Sequence, residues 1–324
     1  MTKISNSDRL VTVFGGSGFV GRHVVRALAQ PGYRVRVAVR RPDLAGHLQP
    51  LGNVGQIHAV QANVRNRASI ERAIDGAWAV INLVGILAES GRQRFAAVHD
   101  EGARAIAEAA AQAGAQHFVH MSAIGADPKS PSAYARTKAA GEAGVKAAFP
   151  GAVIIRPSII FGPEDAFFNR FAAMARLSPV VPLVGAKTRF QPVFVGDVAE
   201  AFLAAVEGRA KPGQTYELGG PEVATFRELM EKMLAVIERR RWIVSIPFLA
   251  AKCQAFILQL LPKPPLTVDQ VRQLARDNIV SEEATAAGRT LQGLGIEPHA
   301  MDPILPTYLY RFRKSGQFAR GRID

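Results

Sequence analysis

The stretch from Val11 to Arg22 decides the fold, and it reads VTVFGGSGFVGR. A short β-prone run leads into three glycines spaced Gly-x-x-Gly-x-x-Gly, and an apolar-periodic segment follows directly. This order predicts a strand, a glycine loop and a helix. Gly15 permits a tight turn, Gly18 lets a pyrophosphate approach the backbone, and Gly21 lets the helix pack closely on the strand. The pattern is typical of a dinucleotide cradle, although an ordinary tight turn shares it, so the surrounding sequence has to decide.

The first half of the chain alternates strand and helix patterns. Further strands are predicted at 33–39, 57–60, 78–84 and 117–121, with helices at 69–74 and 102–113. Such alternation indicates a parallel, doubly wound α/β sheet of the Rossmann type. We expect this domain to cover residues 1–162. A smaller, mostly helical C-terminal lobe then covers 163–324, and some of its segments return to the first domain.

Charge and cysteine content narrow the class of protein. The formal net charge of +13 favours an acidic partner, an anionic membrane surface or phosphate ligands, or else a basic surface that only maintains solubility. Cys253 is the only cysteine and the histidines are scattered, so we expect no disulfide and no metal site. The polar N-terminus lacks the apolar core of a signal peptide, which predicts a chain that stays on the cytoplasmic side.

Two arginines follow the second predicted strand. In dinucleotide folds, an acidic residue about 20 residues past the glycine loop binds the ribose 2′-hydroxyl, whereas arginine accommodates a 2′-phosphate. Arg40 and Arg41 occupy this place, and the next carboxylate is Asp43. The sequence therefore favours NADP(H) over NAD(H), against the alternative that both arginines are merely solvated at a strand end.

Ligands of doubly wound sheets bind at the carboxyl ends of the strands, and the predicted site residues all follow strands or open the neighbouring helices. An adenine is expected to rest against Val64 and to hydrogen-bond Asn63. The predicted cofactor-binding set is Gly15, Ser17, Gly18, Phe19, Val20, Gly21, Arg40, Arg41, Asn63, Val64, Leu83, Val84, Gly85, Ser122, Tyr134, Lys138 and Pro157.

A candidate acid/base pair follows the fifth strand. Tyr134 and Lys138 are four residues apart on a predicted helix, so they share a face and lie one turn from each other. An ammonium there is expected to lower the pKa of the phenol and to hold a ribose hydroxyl. Such a phenol can act as a general acid or base.

These motifs, together with the segments 156–162 and 195–199, resemble the extended short-chain dehydrogenase/reductases, a group that includes nucleotide-sugar epimerases and dehydratases. The likeness covers roughly the first two-thirds of the chain. It implies that Tyr134 is the acid/base, that Lys138 is its partner and ribose anchor, and that a second hydroxyl after the fifth strand binds the reacting oxygen. Here that pair is Ser122-Ala123, so the hydroxyl is missing at Ala123.

The missing hydroxyl and the basic signature most resemble the atypical subgroup that contains the NADPH-binding accessory subunit of respiratory complex I and its α-proteobacterial relatives. This resemblance implies a catalytically silent protein that holds NADPH and supports the assembly or stability of complex I. It would lie peripherally on the cytoplasmic side of the inner membrane, with complex I subunits and anionic lipid as partners. The alternative is an active NADP-dependent nucleotide-sugar epimerase or reductase that uses Tyr134 and Lys138.

Two C-terminal segments are candidates for docking. A helix predicted between Pro247 and Pro262 is too short to cross a bilayer. Its apolar stripe is formed by Leu249, Cys253, Phe256 and Leu260, and it is broadened by Ile257, Leu258 and Leu261. With three arginines and a tryptophan before it, it predicts an interfacial helix, or alternatively a buried helix of the lobe. The segment 308–322 interleaves aromatics with cations, which favours an acidic surface, lipid headgroups or a solvated end over nucleic acid.

Overall fold

The computed structural model describes residues 5–259 and 266–314. The strands are β1 (Leu10–Phe14), β2 (Arg34–Val39), β3 (Ile57–Gln61), β4 (Ala79–Asn82), β5 (His117–Met121), β6 (Val153–Pro157), β7 (Ile160–Phe161), β8 (Val180–Val184), β9 (Arg189–Phe190), β10 (Val193–Phe194), β11 (Thr215–Leu218), β12 (Ala224–Thr225) and β13 (Trp242–Ile246).

The α-helices are α1 (Phe19–Ala29), α2 (Arg67–Ile74), α3 (Gly102–Gln112), α4 (Ala133–Ala148), α5 (Phe168–Leu177), α6 (Val195–Val206), α7 (Phe226–Val236), α8 (Phe248–Leu258), α9 (Val268–Gln273), α10 (Glu282–Ala286) and α11 (Met301–Leu309). A π-helical turn, Ala96–Glu101, leads directly into α3. Short 3₁₀ turns lie at Asn6–Asp8, Pro42–Leu44, Gly46–Leu51, Gln292–Leu294 and Tyr310–Phe312.

Seven parallel strands form the main sheet in the order β11-β6-β5-β4-β1-β2-β3. The order reverses at β1, so the chain winds outward in both directions from the strand that precedes the glycine loop. The predicted Rossmann-type sheet is therefore confirmed, as is a helical C-terminal region. The strand predicted at 78–84 is shorter in the structure, where β4 runs from Ala79 to Asn82. After Asn82 the chain continues without regular structure.

The chain forms two compact units. The first contains the N-terminal part up to Pro157 and the segments Gly196–Leu218 and Ser281–Glu297. The second contains Ser158–Val195, Gly219–Val280 and the chain from Pro298 onward. Two later segments thus rejoin the first unit, where β11 extends its sheet beside β6.

One face of the main sheet packs on α2, α3 and α4. Val80, Phe118 and Ile154 point to this face from three adjacent strands, and Ile70 and Ile106 meet them from the helices. All five are at most 1% exposed. Because a strand covered on both faces has no solvent side, its sequence is a continuous apolar run.

The second unit has an aromatic core, which includes Phe161, Phe168, Phe190 and Phe226. Tyr308 is part of this core and donates a hydrogen bond of 2.6 Å to the buried carboxylate of Asp165. The prediction of a docking or solvated segment from 308 is therefore wrong for its first turn, in which Tyr308, Leu309 and Phe312 are buried. The part of that segment from 315 lies outside the described residues.

Candidate functional site

Parallel strands of the first unit bring the predicted cofactor residues to one edge of the sheet. Gly15 follows β1, Arg40 follows β2, Asn63 follows β3, Leu83 follows β4 and Ser122 follows β5. Pro157 is the last residue of β6, and its carbonyl accepts a hydrogen bond from the Ile124 N–H. Ser17, Phe19 and Val20 lie in the glycine loop and at the start of α1, and Val84 and Gly85 extend from the end of β4.

The glycine loop is closed so tightly that side chains would not fit. Gly15 has φ of +79°, in the left-handed region, and a Cβ there would lie 3.3 Å from the carbonyl carbon of Leu83. A Cβ at Gly21 would overlap the carbonyl oxygen of Gly15. Gly18 is the N-cap of α1 and offers no side chain to the free N–H groups of the first turn. These groups remain for an anion, and the loop therefore fits a pyrophosphate.

The two arginines after β2 differ in their surroundings. Arg41 donates to both carboxylate oxygens of Asp43, with an Nη2 to Oδ2 distance of 2.7 Å. Arg40 is exposed and makes no ion pair within residues 5–259 and 266–314. The carboxylate two residues on therefore engages one arginine of the predicted pair and leaves the charge of Arg40 for a ligand.

At the end of β3, the side chains of Asn63 and Val64 are used locally. Asn63 Oδ1 accepts from the Arg65 N–H at 3.1 Å, which forms a small turn. Val64 packs against the core beneath α3, where it touches the space that a Cβ of Gly102 would fill. Their positions shape the edge of the sheet at this strand.

Tyr134 and Lys138 lie one turn apart on α4, as the spacing predicts. The Lys138 Nζ donates to the Met121 carbonyl at 3.1 Å and lies 5.9 Å from the centre of the Tyr134 ring. Burial raises the pKa of Tyr134 to about 12. The expected lowering of the phenol pKa is wrong for this structure, because desolvation disfavours the phenolate. Burial also lowers the pKa of Lys138 to about 8, against the opposing effect of Glu142.

Ser122 and Ala123 follow β5 in the predicted register. Ser122 is buried, and its Oγ has no hydrogen-bond partner among the described residues. A buried hydroxyl without a partner costs free energy unless a ligand or water satisfies it. Ala123 offers no hydroxyl, so the second donor of the extended reductases is absent from this position.

Sequence reasoning missed two buried histidines that lie beside this pair. His99 lies on the π turn, and its ring is 5.2 Å from the Tyr134 ring. His120 lies on β5, where its Nδ1 is 3.2 Å from the Asn82 amide nitrogen. The alternation of β5 places His120 on the same buried face as Phe118, so the strand period could have found it. No comparable signal marks His99, since π turns follow no simple sequence pattern.

A different kind of surface lies on the second unit. The helix α8 is attached through Ala251 and Ala255, which pack on Val184 and Val271. Its larger apolar side chains point to solvent: Leu249 is 77% exposed, Phe256 64% and Ile257 68%. On the preceding strand β13, Trp242 is 76% and Val244 47% exposed. We call these five residues the apolar surface.

The predicted apolar stripe of α8 therefore faces solvent and not the core of the second unit. Leu249, Cys253 and Phe256 are exposed, so the alternative of a buried helix is wrong for the described part of the segment. Leu260 and Leu261 lie outside the described residues. In the described ranges, 5–259 and 266–314, the helices are all too short or too polar to span a bilayer.

Comparisons with known proteins identify the family of this chain. Residues 11–219 match the NAD dependent epimerase/dehydratase family. The chain is similar to the mitochondrial NADH dehydrogenase (ubiquinone) 1 alpha subcomplex subunit 9 of Arabidopsis thaliana, with 35% identity covering 96% of this chain and 80% of that protein. It is also similar to the ceramide reductase of Caulobacter vibrioides, with 37% identity over 195 residues, which covers 60% of each protein.

Among solved structures, the dTDP-glucose 4,6-dehydratase DesIV of Streptomyces venezuelae, determined with NAD bound, shares the fold. Its TM-score is 0.70 at 20% identity, covering 94% of this chain and 96% of that chain.

Proposed function

Since this chain belongs to the NAD dependent epimerase/dehydratase family and is similar over 96% of its length to a mitochondrial complex I subunit, we propose that it is an NADP(H)-holding accessory subunit that supports the assembly or stability of respiratory complex I. Membership confirms the resemblance to atypical extended short-chain dehydrogenase/reductases. The observation that carries the proposal is the pairing of a complete glycine cradle with an incomplete set of reacting groups.

The choice of NADP(H) rests on Arg40. Its guanidinium is exposed at the end of β2, and the neighbouring carboxylate of Asp43 is engaged by Arg41. An arginine at this position can form charge-assisted hydrogen bonds with a 2′-phosphate. A bare 2′-hydroxyl is bound better by a carboxylate.

Catalytic silence is supported by two features of the same edge. Ala123 removes a donor that would stabilise negative charge on a reacting oxygen, a loss of about 3 kcal/mol in enzymes where one such donor is removed. Burial raises the pKa of Tyr134 to about 12, which favours the neutral phenol and disfavours a phenolate base near neutral pH.

The partner surface that we propose is the apolar surface of the second unit. The chain from 239 to 268 contains five lysines or arginines and no aspartate or glutamate. Outward apolar side chains within such a cationic, acid-free segment suit the boundary of an anionic bilayer, where rings and aliphatic chains enter between headgroups. We therefore propose peripheral binding to the cytoplasmic side of the inner membrane, next to complex I.

Purification from native membranes in mild detergent tests the main proposal. We expect complex I subunits and NADP(H) to accompany the chain, and membranes that lack it to contain less assembled complex I. Unchanged assembly and activity in those membranes would count against an accessory role.

The nucleotide is tested separately with purified protein. Arg40→Asp should weaken NADPH binding roughly 30-fold and NADH binding little, because charged hydrogen bonds are worth about 2 kcal/mol. Arg72→Asp on α2 is the control, since Arg72 is exposed and changes the net charge equally. Equal losses for both nucleotides in Arg40→Asp would show that the phosphate lies elsewhere.

Docking is tested with Leu249→Glu/Phe256→Glu in flotation with vesicles of anionic or zwitterionic lipid. Loss of binding to anionic vesicles is expected, and Leu177→Glu is a matched control because Leu177 is apolar and 83% exposed on α5 of the same unit. Wild-type protein that binds membranes only when complex I is present would assign the surface to protein instead of lipid.

A second candidate is an active NADP-dependent reductase or epimerase. It is favoured by the preserved spacing of Tyr134 and Lys138 on α4 and by the similarity to a protein named ceramide reductase. NADPH would supply the hydride to a carbonyl carbon, and the Tyr134 hydroxyl would donate the proton to its oxygen. Any turnover found with NADPH must then fall at least 100-fold in Tyr134→Phe, and turnover that survives this change would exclude the role.

A further inference from the structure

His99 joins three separate segments of the first unit. Its Nε2 accepts a hydrogen bond of 3.0 Å from the backbone N–H of Ile86, and its Nδ1 is 3.3 Å from Thr137 Oγ1. Its ring stacks on Phe95 at 5.3 Å and meets the edge of Tyr134 at 5.2 Å. The side chain is 1% exposed. His99 therefore links the loop after β4 to the helix that carries Tyr134 and Lys138.

The two hydrogen bonds fix the tautomer of the ring. An imidazole nitrogen that accepts from an amide N–H carries no proton, so the proton must be on Nδ1. Nδ1 then donates to Thr137 Oγ1, and the threonine hydroxyl donates in turn to the carbonyls of Ala133 and Tyr134, at 2.9 and 3.0 Å. Burial, helped by the charge of Lys138, lowers the pKa of His99 to about 3. The ring consequently stays neutral near pH 7, and Nε2 stays an acceptor.

Helix α4 is shaped to receive this turn. A Cβ at Gly141 would overlap the carbonyl oxygen of His99, so the π turn lies directly on the helix backbone. On the other side, a Cβ at Gly85 would lie 3.4 Å from Lys138 Nζ and 3.7 Å from His99 Nε2. Gly85 and Ile86 thus pass between the histidine and the lysine. A π turn in this place matches the frequent use of such turns at functional sites.

The loop that His99 holds has other attachments before and after Ile86. The Val84 N–H donates to Asn82 Oδ1 at 3.0 Å, and Arg65 Nη1 donates to the Arg92 carbonyl at 2.9 Å. Residues 83–94 lack helix and strand apart from a bridge between Ser90 and Gln93, and Glu89 Oε1 accepts from the Phe95 N–H at 2.8 Å. Leu87 is 66% exposed. The Ile86 N–H is therefore the point at which the start of this loop is fixed against α4.

We propose that His99 is a positioning residue that clamps the Gly85–Ile86 segment against the Tyr134–Lys138 helix and thereby closes one wall of the nucleotide site. This inference rests on the proposed NADP(H) site, whose edge includes Gly85, Tyr134 and Lys138. The clamp acts through the acceptor at Nε2, while the aromatic stack with Phe95 holds the ring in place.

The test compares His99→Phe, which keeps the aromatic stack and loses the acceptor, with His99→Gln, which offers an amide oxygen in its place. His117→Phe is the control, because His117 is an aromatic-packed histidine at the opposite end of β5. Amide hydrogen exchange of Ile86 is measured without nucleotide, and NADPH affinity is measured by fluorescence titration of the same proteins.

We expect His99→Phe to speed exchange of the Ile86 amide by roughly tenfold or more and to weaken NADPH binding roughly tenfold, as the loss of one buried hydrogen bond implies. His99→Gln should retain part of the protection of the Ile86 amide and part of the NADPH affinity. His117→Phe should change neither the exchange rate nor the affinity. Unchanged exchange at Ile86 in folded His99→Phe would overturn the clamp. Faster exchange with unchanged NADPH affinity would overturn the positioning role.

Failure of the clamp and failure of the nucleotide proposal can be told apart. Wild-type protein that binds no nucleotide refutes the proposed function, and the exchange experiment then still decides whether His99 holds the loop. If His99→Phe does not fold, Thr137→Val supplies the answer. It removes the partner of Nδ1 and should speed exchange at Ile86 to a smaller extent, and no change there would overturn the clamp.

Discussion

Helices α4 and α8 depart from the usual distribution of side chains in opposite directions. Helix α4 buries Lys138, which is 2% exposed, and Glu142, which is 6% exposed and is paired with Arg156 at 2.7 Å. Helix α8 buries only Ala251 and Ala255 and turns its larger apolar residues outward. Folding alone favours neither arrangement, since buried charges lose hydration and exposed apolar surface gains nothing.

The two departures suit two kinds of binding partner. A buried ammonium beside a half-buried phenol at the carboxyl edge of a sheet is typical of a site for a polar small molecule. An apolar helix that is attached by two alanines is typical of a surface that a larger partner covers. Under the proposed function, the first departure belongs to the nucleotide site and the second to the docking surface.

The largest effect is expected where α4 meets the π turn. Gly141→Ala places a methyl group on the carbonyl oxygen of His99, and we expect the free energy of unfolding to fall by about 3 kcal/mol because backbone, unlike a side chain, cannot move aside. Gly144→Ala is the control three residues further along the helix. There the new methyl group meets the Cβ of Arg104 at 3.2 Å, a close contact but not an overlap.

The control should change the free energy of unfolding by less than about 1 kcal/mol, since the better helix propensity of alanine offsets the close contact with Arg104. Chemical denaturation of both variants measures the difference. Similar losses in both would mean that α4 does not pack on the π turn as described.

The polar side of the comparison predicts a pH dependence. The pKa of His99 is lowered from 6.5 to about 3 in the folded chain, so between these values the unfolded chain binds a proton that the folded chain does not. Stability is therefore complete above pH 6.5 and is lost as the pH falls. The loss from this group reaches about 2.5 kcal/mol at pH 4.5.

His99→Phe cannot bind that proton, so its stability should fall less steeply between pH 6.5 and 4.5 than that of the wild type. His117→Phe shares the change of residue type and serves as the reference. Burial lowers the pKa of His117 as well, so this variant should change the profile in the same direction but to a smaller extent. Parallel pH profiles for the wild type and His99→Phe would contradict a neutral, buried His99.

The apolar side of the comparison predicts a split within α8. Ala255→Leu forces a larger side chain into the contact with Val184 and Val271, and we expect it to lower the free energy of unfolding by about 2 kcal/mol. Phe256→Ala removes a much larger group that is exposed, and it should change stability by less than about 0.5 kcal/mol. A large loss for Phe256→Ala would place Phe256 in a core instead of a docking surface.

The fold could be predicted from the sequence because the local motifs and the overall order of strands and helices indicate the same architecture. The run before Gly15, the glycine spacing and the strand and helix alternation all specify a parallel sheet, and the sheet itself brings Arg40, Ser122 and Pro157 to one edge. A motif on a regular element is predictable because the period of that element fixes its direction.

The burial and the neighbours of individual side chains could not be predicted from the sequence. The pKa of Tyr134 depends on how deeply α4 is buried, and burial is set by segments distant in the chain. The π turn under His99 and the outward orientation of Leu249 likewise depend on tertiary packing. An apolar stripe has the same pattern whether its helix faces a core or a partner, so only the structure could decide between them.

The smallest effect concerns the charge on α8. Lys252 is the single charged residue of this helix and is exposed. A lysine at an anionic surface contributes about 1 kcal/mol, so Lys252→Gln should weaken binding to anionic vesicles roughly fivefold and leave binding to zwitterionic vesicles unchanged. Lys129→Gln in the first unit carries the same change of charge on an exposed loop and should have no effect. If both variants bind equally less well, net charge drives the association and α8 does not face the lipid.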